Sequence, residues 1–206
     1  MTPPVGDPAV FADALAAALG AADIAAVCLR LAATDERTLA NRIKALAPVV
    51  QDKGAALLLA GHLELVARTG ADGAHLTGIE SFQAALASLK PQRIAGCGGL
   101  ETRHDAMLAA ESADYVMFGE PDEHGTRPSF DAIVDRVAWW AEVFELPCVG
   151  FAASPDEVEP LAAAGADFVA LGEWIFSAGS NPAAQVAEAA SHLAAGHRAL
   201  TEENVA

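Results

Sequence analysis

The chain has 206 residues, 53% of them hydrophobic and 19% charged, a balance that supports a compact fold with a large buried core, most simply one domain. Its formal net charge of −16 argues against nucleic acid, which draws on clustered Lys and Arg, whereas one or two local cations can still hold a small phosphorylated ligand. Apolar runs such as ALAAALGAADIAA fall short of the roughly 18 residues of a membrane helix, and MTPPVGDP lacks the marks of a secretion signal, so a cytoplasmic protein without a membrane partner is expected.

In chain order, an amphipathic segment from Pro8 to Leu19 reads as the first helix, capped by Asp7 with Pro8 in its first turn. The apolar run Ala25 to Leu31 follows as a strand, then a helix over Asp35 to Lys53, a strand over Ala55 to Ala60, a helix over His62 to Thr69 and a strand over Gly73 to Leu76. A helix over Ser81 to Leu89, a strand over Arg93 to Cys97, a helix over Glu101 to Ser112 and a strand over Tyr115 to Gly119 continue the alternation. After the polar loop FGEPDEHGTRPS come a helix over Phe130 to Glu145, a strand over Cys148 to Ala152 and a helix over Pro155 to Ala164 capped by Ser154. A strand over Phe168 to Gly172 and a helix over Asn181 to Ala195, capped by Ser180, complete the series. Near-continuous apolar strands alternating with helices define a parallel sheet covered by helices. Cys28, Cys97 and Cys148 lie far apart in those apolar runs and read as reduced thiols rather than a disulfide framework or a metal cluster.

Two segments, GADGAHLT (Gly70 to Thr77) and AGADFVALGEWIFS (Ala164 to Ser177), each end a helix at Gly-Ala-Asp and open a strand at once. The repeated junction predicts an α/β fold, a TIM (β/α)8 barrel. Only MTPPVGD precedes the first helix, so the first strand is expected to be short or missing. Met1 begins inside it, the start lies upstream, or the barrel closes on a vestige. A doubly wound sheet would instead carry a Gly-rich turn after its first strand, and none stands there.

Several segments, in order, carry a family resemblance. VCLRL is similar to a VQLR-x-K strand, GADGAHLT to GADGVHLGQ, ADYVMFGE to ADYVLFGH, and PCVGFAASPDEVEPLAAAGADFVALGEWIF to a strand, helix and strand ending in AGADGVAVxSxIF. Together they resemble the thiamine phosphate synthase and thiazole tautomerase (TenI) family, which has the TIM-barrel fold. The resemblance implies a thiamin-pathway protein that binds a small phosphorylated heterocycle. Its reaction would be the joining of a pyrimidine pyrophosphate to a thiazole phosphate, with Mg2+ held by carboxylates, or a related proton transfer. It also implies phosphate on glycine-rich loops after the last two strands. A homodimer is the expected assembly.

Carried over residue by residue, Arg30 matches the arginine of the VQLR-x-K strand and is a candidate cation for phosphate, while the family's glutamine and lysine are Cys28 and Ala32. Ala60 and Gly61 stand where the family has an Asn and a Mg2+-binding Asp, and His62 follows where it has an Arg. Glu80 is the one carboxylate near the second acidic position, which weighs against Mg2+; it reads equally as a helix-start carboxylate favoured by the dipole. His75 matches the histidine of DGVHL, either as a catalytic group or as a satisfied core group. Gly98 and Gly99 either admit a ligand to backbone amides or form a turn. Glu120 stands where the tautomerases have an acid-base histidine, His124 lies in the same loop, and Arg127 resembles the lysine of TK-P. A glutamate and a histidine there can move a proton at neutral pH. The family's IGG is Phe151, Ala152 and Ala153 here, and Glu173 sets an anion beside the inherited phosphate site, where it suits a cationic or hydroxylated ligand. These departures weigh against the inherited synthase chemistry and leave a second expectation, a noncatalytic paralogue that binds a thiamin precursor or a partner protein.

Overall fold

A computed structural model describes residues 1–122 and 124–203. Seven parallel strands, β1 (Ala26–Leu29), β2 (Ala56–Ala60), β3 (Gly73–Thr77), β4 (Ile94–Gly98), β5 (Tyr115–Phe118), β6 (Cys148–Ala152) and β7 (Phe168–Leu171), pair in sequence order. The helices α1 (Pro8–Leu19), α2 (Glu36–Gln51), α3 (Leu63–Thr69), α4 (Ile79–Leu89), α5 (Arg103–Ala110), α6 (Phe130–Val143), α7 (Val158–Ala163) and α8 (Pro182–Glu203) alternate with them. Each crossover returns to a strand beside the last, which is the winding of a TIM barrel. The helices pack through spaced apolar residues: α2 buries Leu39, Ile43, Leu46 and Val50 along one face. Burying a leucine side chain of this kind contributes roughly 1.5–3 kcal/mol. Among the described residues no helix is long and apolar enough to cross a membrane.

The Gly-Ala-Asp junctions have a direct physical reading. The carboxylate of Asp72 accepts the backbone N–H of Leu57 on β2 at 2.8 Å, while the Asp72 N–H donates to Leu57 O at 2.8 Å. Asp114 makes the same exchange with Ala95 on β4, and Asp167 with Cys148 on β6. Each junction therefore fastens the chain entering one strand to the foot of the preceding strand, satisfying an N–H at the end of the ladder.

The position of an eighth strand, between β7 and β1, is only partly filled. Thr2 N–H donates to Cys28 O at 3.0 Å, the Thr2 hydroxyl accepts Arg30 N–H at 2.9 Å, and Val5 forms a parallel bridge to Leu31. On the other edge the Met1 nitrogen donates to Leu171 O at 2.8 Å. Met1 to Val5 thus join the edges of β1 and β7 over the carboxyl-end half of the wall. Below Thr2 the edges of β1 and β7 are unjoined, Phe168 is 47% exposed, and a cavity of about 660 Å3 lies among Leu15, Leu19, Tyr115, Met117, Val149 and Phe176.

Candidate active site at the carboxyl ends of the strands

Three interior side chains form a hydrogen-bonded row across the barrel. His75 on β3, Gly96 on β4 and Tyr115 on β5 share one level of the sheet. Gly96 has no side chain, and a Cβ there would lie 2.0 Å from the Tyr115 ring; this space lets Tyr115 reach over β4 to His75. The Tyr115 hydroxyl lies 2.9 Å from His75 Nδ1 with the two rings stacked 9° from parallel, and His75 Nε2 lies 2.7 Å from Glu120 Oε2. Gly119, at φ +93°, turns the chain after β5 so that Glu120 enters the mouth. Gly98 then leaves the room in which Glu120 and His75 meet.

Chemistry assigns the protons in this row. Burial pushes the Tyr115 phenol well above its ordinary pKa of 10.0, so it stays protonated and has a hydrogen to offer His75 Nδ1. In the tautomer that accepts this hydrogen, His75 donates from Nε2 to Glu120. Thr77 Oγ1 donates to the other oxygen, Oε1, at 3.4 Å. Glu120 accepts on both oxygens, as a carboxylate does. The histidine and the glutamate are 2% and 9% exposed, which keeps water from competing with these bonds.

The remaining candidates surround this row without joining it. Arg30 follows β1 and faces Glu173, which follows β7, at 3.6 Å. Arg127, on the loop before α6, donates through Nη1 to both oxygens of Glu157, and Glu157 also accepts the Ala153 N–H at 2.8 Å. His62 sits in the left-handed region at φ 49° ahead of α3 and faces Glu64 at 3.7 Å. Gly98 packs against Glu120 and His75, while Gly99, at φ +59°, turns the chain. His124 is exposed on a turn organised by Asp122, whose carboxylate accepts the His124 and Thr126 N–H groups. Glu80 is exposed in the first turn of α4. The donor set does not fit the family's Mg2+: Ala60 and Gly61 offer no side-chain oxygen, and among the described residues no three His, Cys, Asp or Glu side chains gather as ligands.

Tyr115, Gly96, Thr77 and Glu157 were not among the residues singled out from sequence. The tyrosine of ADYV and the first glycine of GCGG were visible signals, but joining them needs the strand register.

The buried Tyr-His-Glu row stands at the carboxyl ends of the strands of a parallel barrel, the end at which barrel enzymes place their sites. The thiamine monophosphate synthase family matches residues 2–175. The thiamine-phosphate synthase of Rhodospirillum centenum is 38% identical over 91% of this chain and 93% of its own length. That of Hyphomonas neptunium is 33% identical over 90% and 88%. The chain belongs to the thiamine monophosphate synthase family. Among solved structures, the thiamine phosphate pyrophosphorylase of Pyrococcus furiosus superposes with a TM-score of 0.74 at 18% identity, covering 90% of each chain, which establishes the likeness of fold. The Amycolatopsis orientalis BexX/CysO complex superposes with a TM-score of 0.65 at 16% identity, covering 96% of this chain and 88% of that one.

Proposed function

We propose that this protein acts in thiamin biosynthesis by moving a proton on a thiazole-type heterocycle held at the barrel mouth. The observation that carries this reading is the buried Tyr115-His75-Glu120 row. A tautomerisation removes a proton at one atom and returns it at another, so one carboxylate that alternates between ionised and protonated forms suffices. Glu120 Oε2 is held by His75, whereas Oε1 has only the longer bond from Thr77 and is the oxygen left to take the proton. His75 orients the carboxylate through Nε2, and Tyr115 fixes the tautomer that makes this possible. The joining reaction is the weaker alternative, because its leaving pyrophosphate calls for a metal and for cations that this mouth does not offer freely.

The test is solvent deuterium exchange into a thiazole phosphate substrate and into its alcohol, followed by NMR. The wild-type chain is expected to catalyse exchange, and Glu120→Gln to lower the rate at least about 10²-fold. No exchange above a buffer control with either compound sinks the proposal. Saturable binding without exchange would establish the noncatalytic paralogue instead. Product formed from pyrimidine pyrophosphate, thiazole phosphate and Mg2+ would restore the synthase reading.

A further inference from the structure

Barrels of this type commonly hold phosphate on the loops after their last two strands, where backbone N–H groups and a local cation converge. In this chain those loops follow β6 and β7, and one N–H on each, together with the two nearby arginines, is already engaged within the chain. After β6, the Ala153 N–H donates to Glu157 Oε2 at 2.8 Å, and Arg127 Nη1 donates to Oε1 and Oε2 at 3.1 and 2.9 Å. After β7, the Gly172 N–H donates to Ala152 O at 2.9 Å, and Glu173 faces Arg30. The side chains of Arg127 and Glu157 are only 18% and 17% exposed, so solvent and salt screen this pair weakly.

We infer that Glu157 is a built-in anion occupying the phosphate position, and that the mouth takes a heterocycle bearing no phosphate ester, either uncharged or cationic. This rests on the mouth being the ligand site proposed above, and it narrows the ligand class of that site. A phosphate approaching the Ala153 N–H would meet a carboxylate already bonded there, like charge against like charge. On its other edge Arg127 donates through Nη2 to Phe151 O at 3.5 Å, and its Nε–H is buried with no acceptor among the described residues. Arginine binds oxyanions best through two prongs, but Glu157 draws on Nη1 alone. Arg127 Nη1 and the Ala153 N–H both donate to Glu157 Oε2, so with the Glu157 charge removed these two donors would converge on one anion position.

The experiment uses inorganic phosphate as the probe, with calorimetric titration and thermal shift. The samples are the full chain, Glu157→Ala, Glu157→Gln and the double variant Arg127→Ala/Glu157→Ala. Wild type is expected to show no saturable phosphate binding at millimolar concentrations. Both single variants should bind phosphate roughly tenfold more tightly or better, and the double variant should lose that gain. Glu157→Gln keeps an acceptor for the Ala153 N–H, so it isolates the charge should alanine unsettle the loop. A wild-type chain that binds phosphate saturably at millimolar concentrations and loses it in the double variant, or a glutamine variant with no gain, overturns the inference. Neither readout passes through Glu120, so a failure of proton transfer leaves this result readable.

Discussion

An alanine at position 98 would place its Cβ 2.2 Å from Glu120 Oε1 and 2.8 Å from His75 Nε2, distances no real Cβ tolerates. Either the carboxylate or the imidazole must move, so Gly98→Ala is expected to destabilise the fold by about 1–3 kcal/mol and to abolish ligand binding at the mouth. Urea denaturation and a binding titration on the same sample check both effects. Tyr115→Phe should keep the shape but remove the hydrogen held by Nδ1. Nitrogen NMR of His75 should report protonated Nε2 and acceptor Nδ1 in wild type, and a mixture of tautomers in the variant. An unchanged spectrum would detach the phenol from the proton assignment. His75 and Glu120 were legible in sequence because each abuts a recognisable strand end. Their meeting was not, since the contact joins residues 45 apart through room left by a glycine on a third strand. Glu157 escaped notice for a similar reason: an acidic residue near Ser154-Pro155 reads as ordinary helix-start charge until Arg127 is seen beside it.

The junction aspartates make a prediction that belongs to whole βα units. Removing the carboxylate of Asp72 or Asp167 leaves the N–H of Leu57 or Cys148 without its charged acceptor, and each alanine variant is expected to cost about 1.5–3 kcal/mol by urea denaturation. Asp23 offers the internal control. It precedes β1 much as the others precede β3, β5 and β7, yet it makes no hydrogen bond or ion pair among the described residues. The strand whose foot it would grip is represented only by Met1 to Val5, which lie at the other end of the wall. Asp23→Ala should therefore leave stability unchanged, and a cost equal to that of Asp72→Ala would refute the junction argument. At this scale the sequence was highly legible, because near-continuous apolar strands and amphipathic helices carry separate periods; the first helix begins and ends where its cap and proline place it. Local polar choices were less so. Ser154 makes no side-chain cap bond, and at the start of α8 Asn181 accepts the Ala184 N–H while the Ser180 hydroxyl donates to Ile175 O instead. The shortage of a strand could be counted, but its resolution into a half-closed wall depends on which carbonyls of β1 and β7 the first residues reach.

For the molecule as a whole, the buried acids set a limit at high pH. Burial pushes the thiols of Cys28 and Cys97 to about 12 and that of Cys148 to about 11, and it raises Tyr115 further above 10.0. An unfolded thiol titrates near 8.5 and an unfolded phenol near 10. Below about pH 8.5 folded and unfolded chains hold the same protons on these groups, and they give stability no pH dependence. Above it the unfolded chain sheds protons that the native chain keeps, so stability falls as pH rises toward the folded values. These four groups leave the melting temperature level through neutral pH and should make it drop steeply above about pH 9. The net charge of −16 adds self-repulsion across this range, but the two causes separate experimentally. Added salt screens repulsion between exposed charges and should recover only part of the loss, because it scarcely reaches thiols buried in the strands. Alkylation by iodoacetamide at pH 8 should correspondingly proceed no faster than unfolding, since a neutral, buried thiol is a poor nucleophile. Rapid labelling of Cys28, Cys97 or Cys148 in the folded chain would show that the thiolate forms without unfolding, and the alkaline limit would then have to come from surface charge alone.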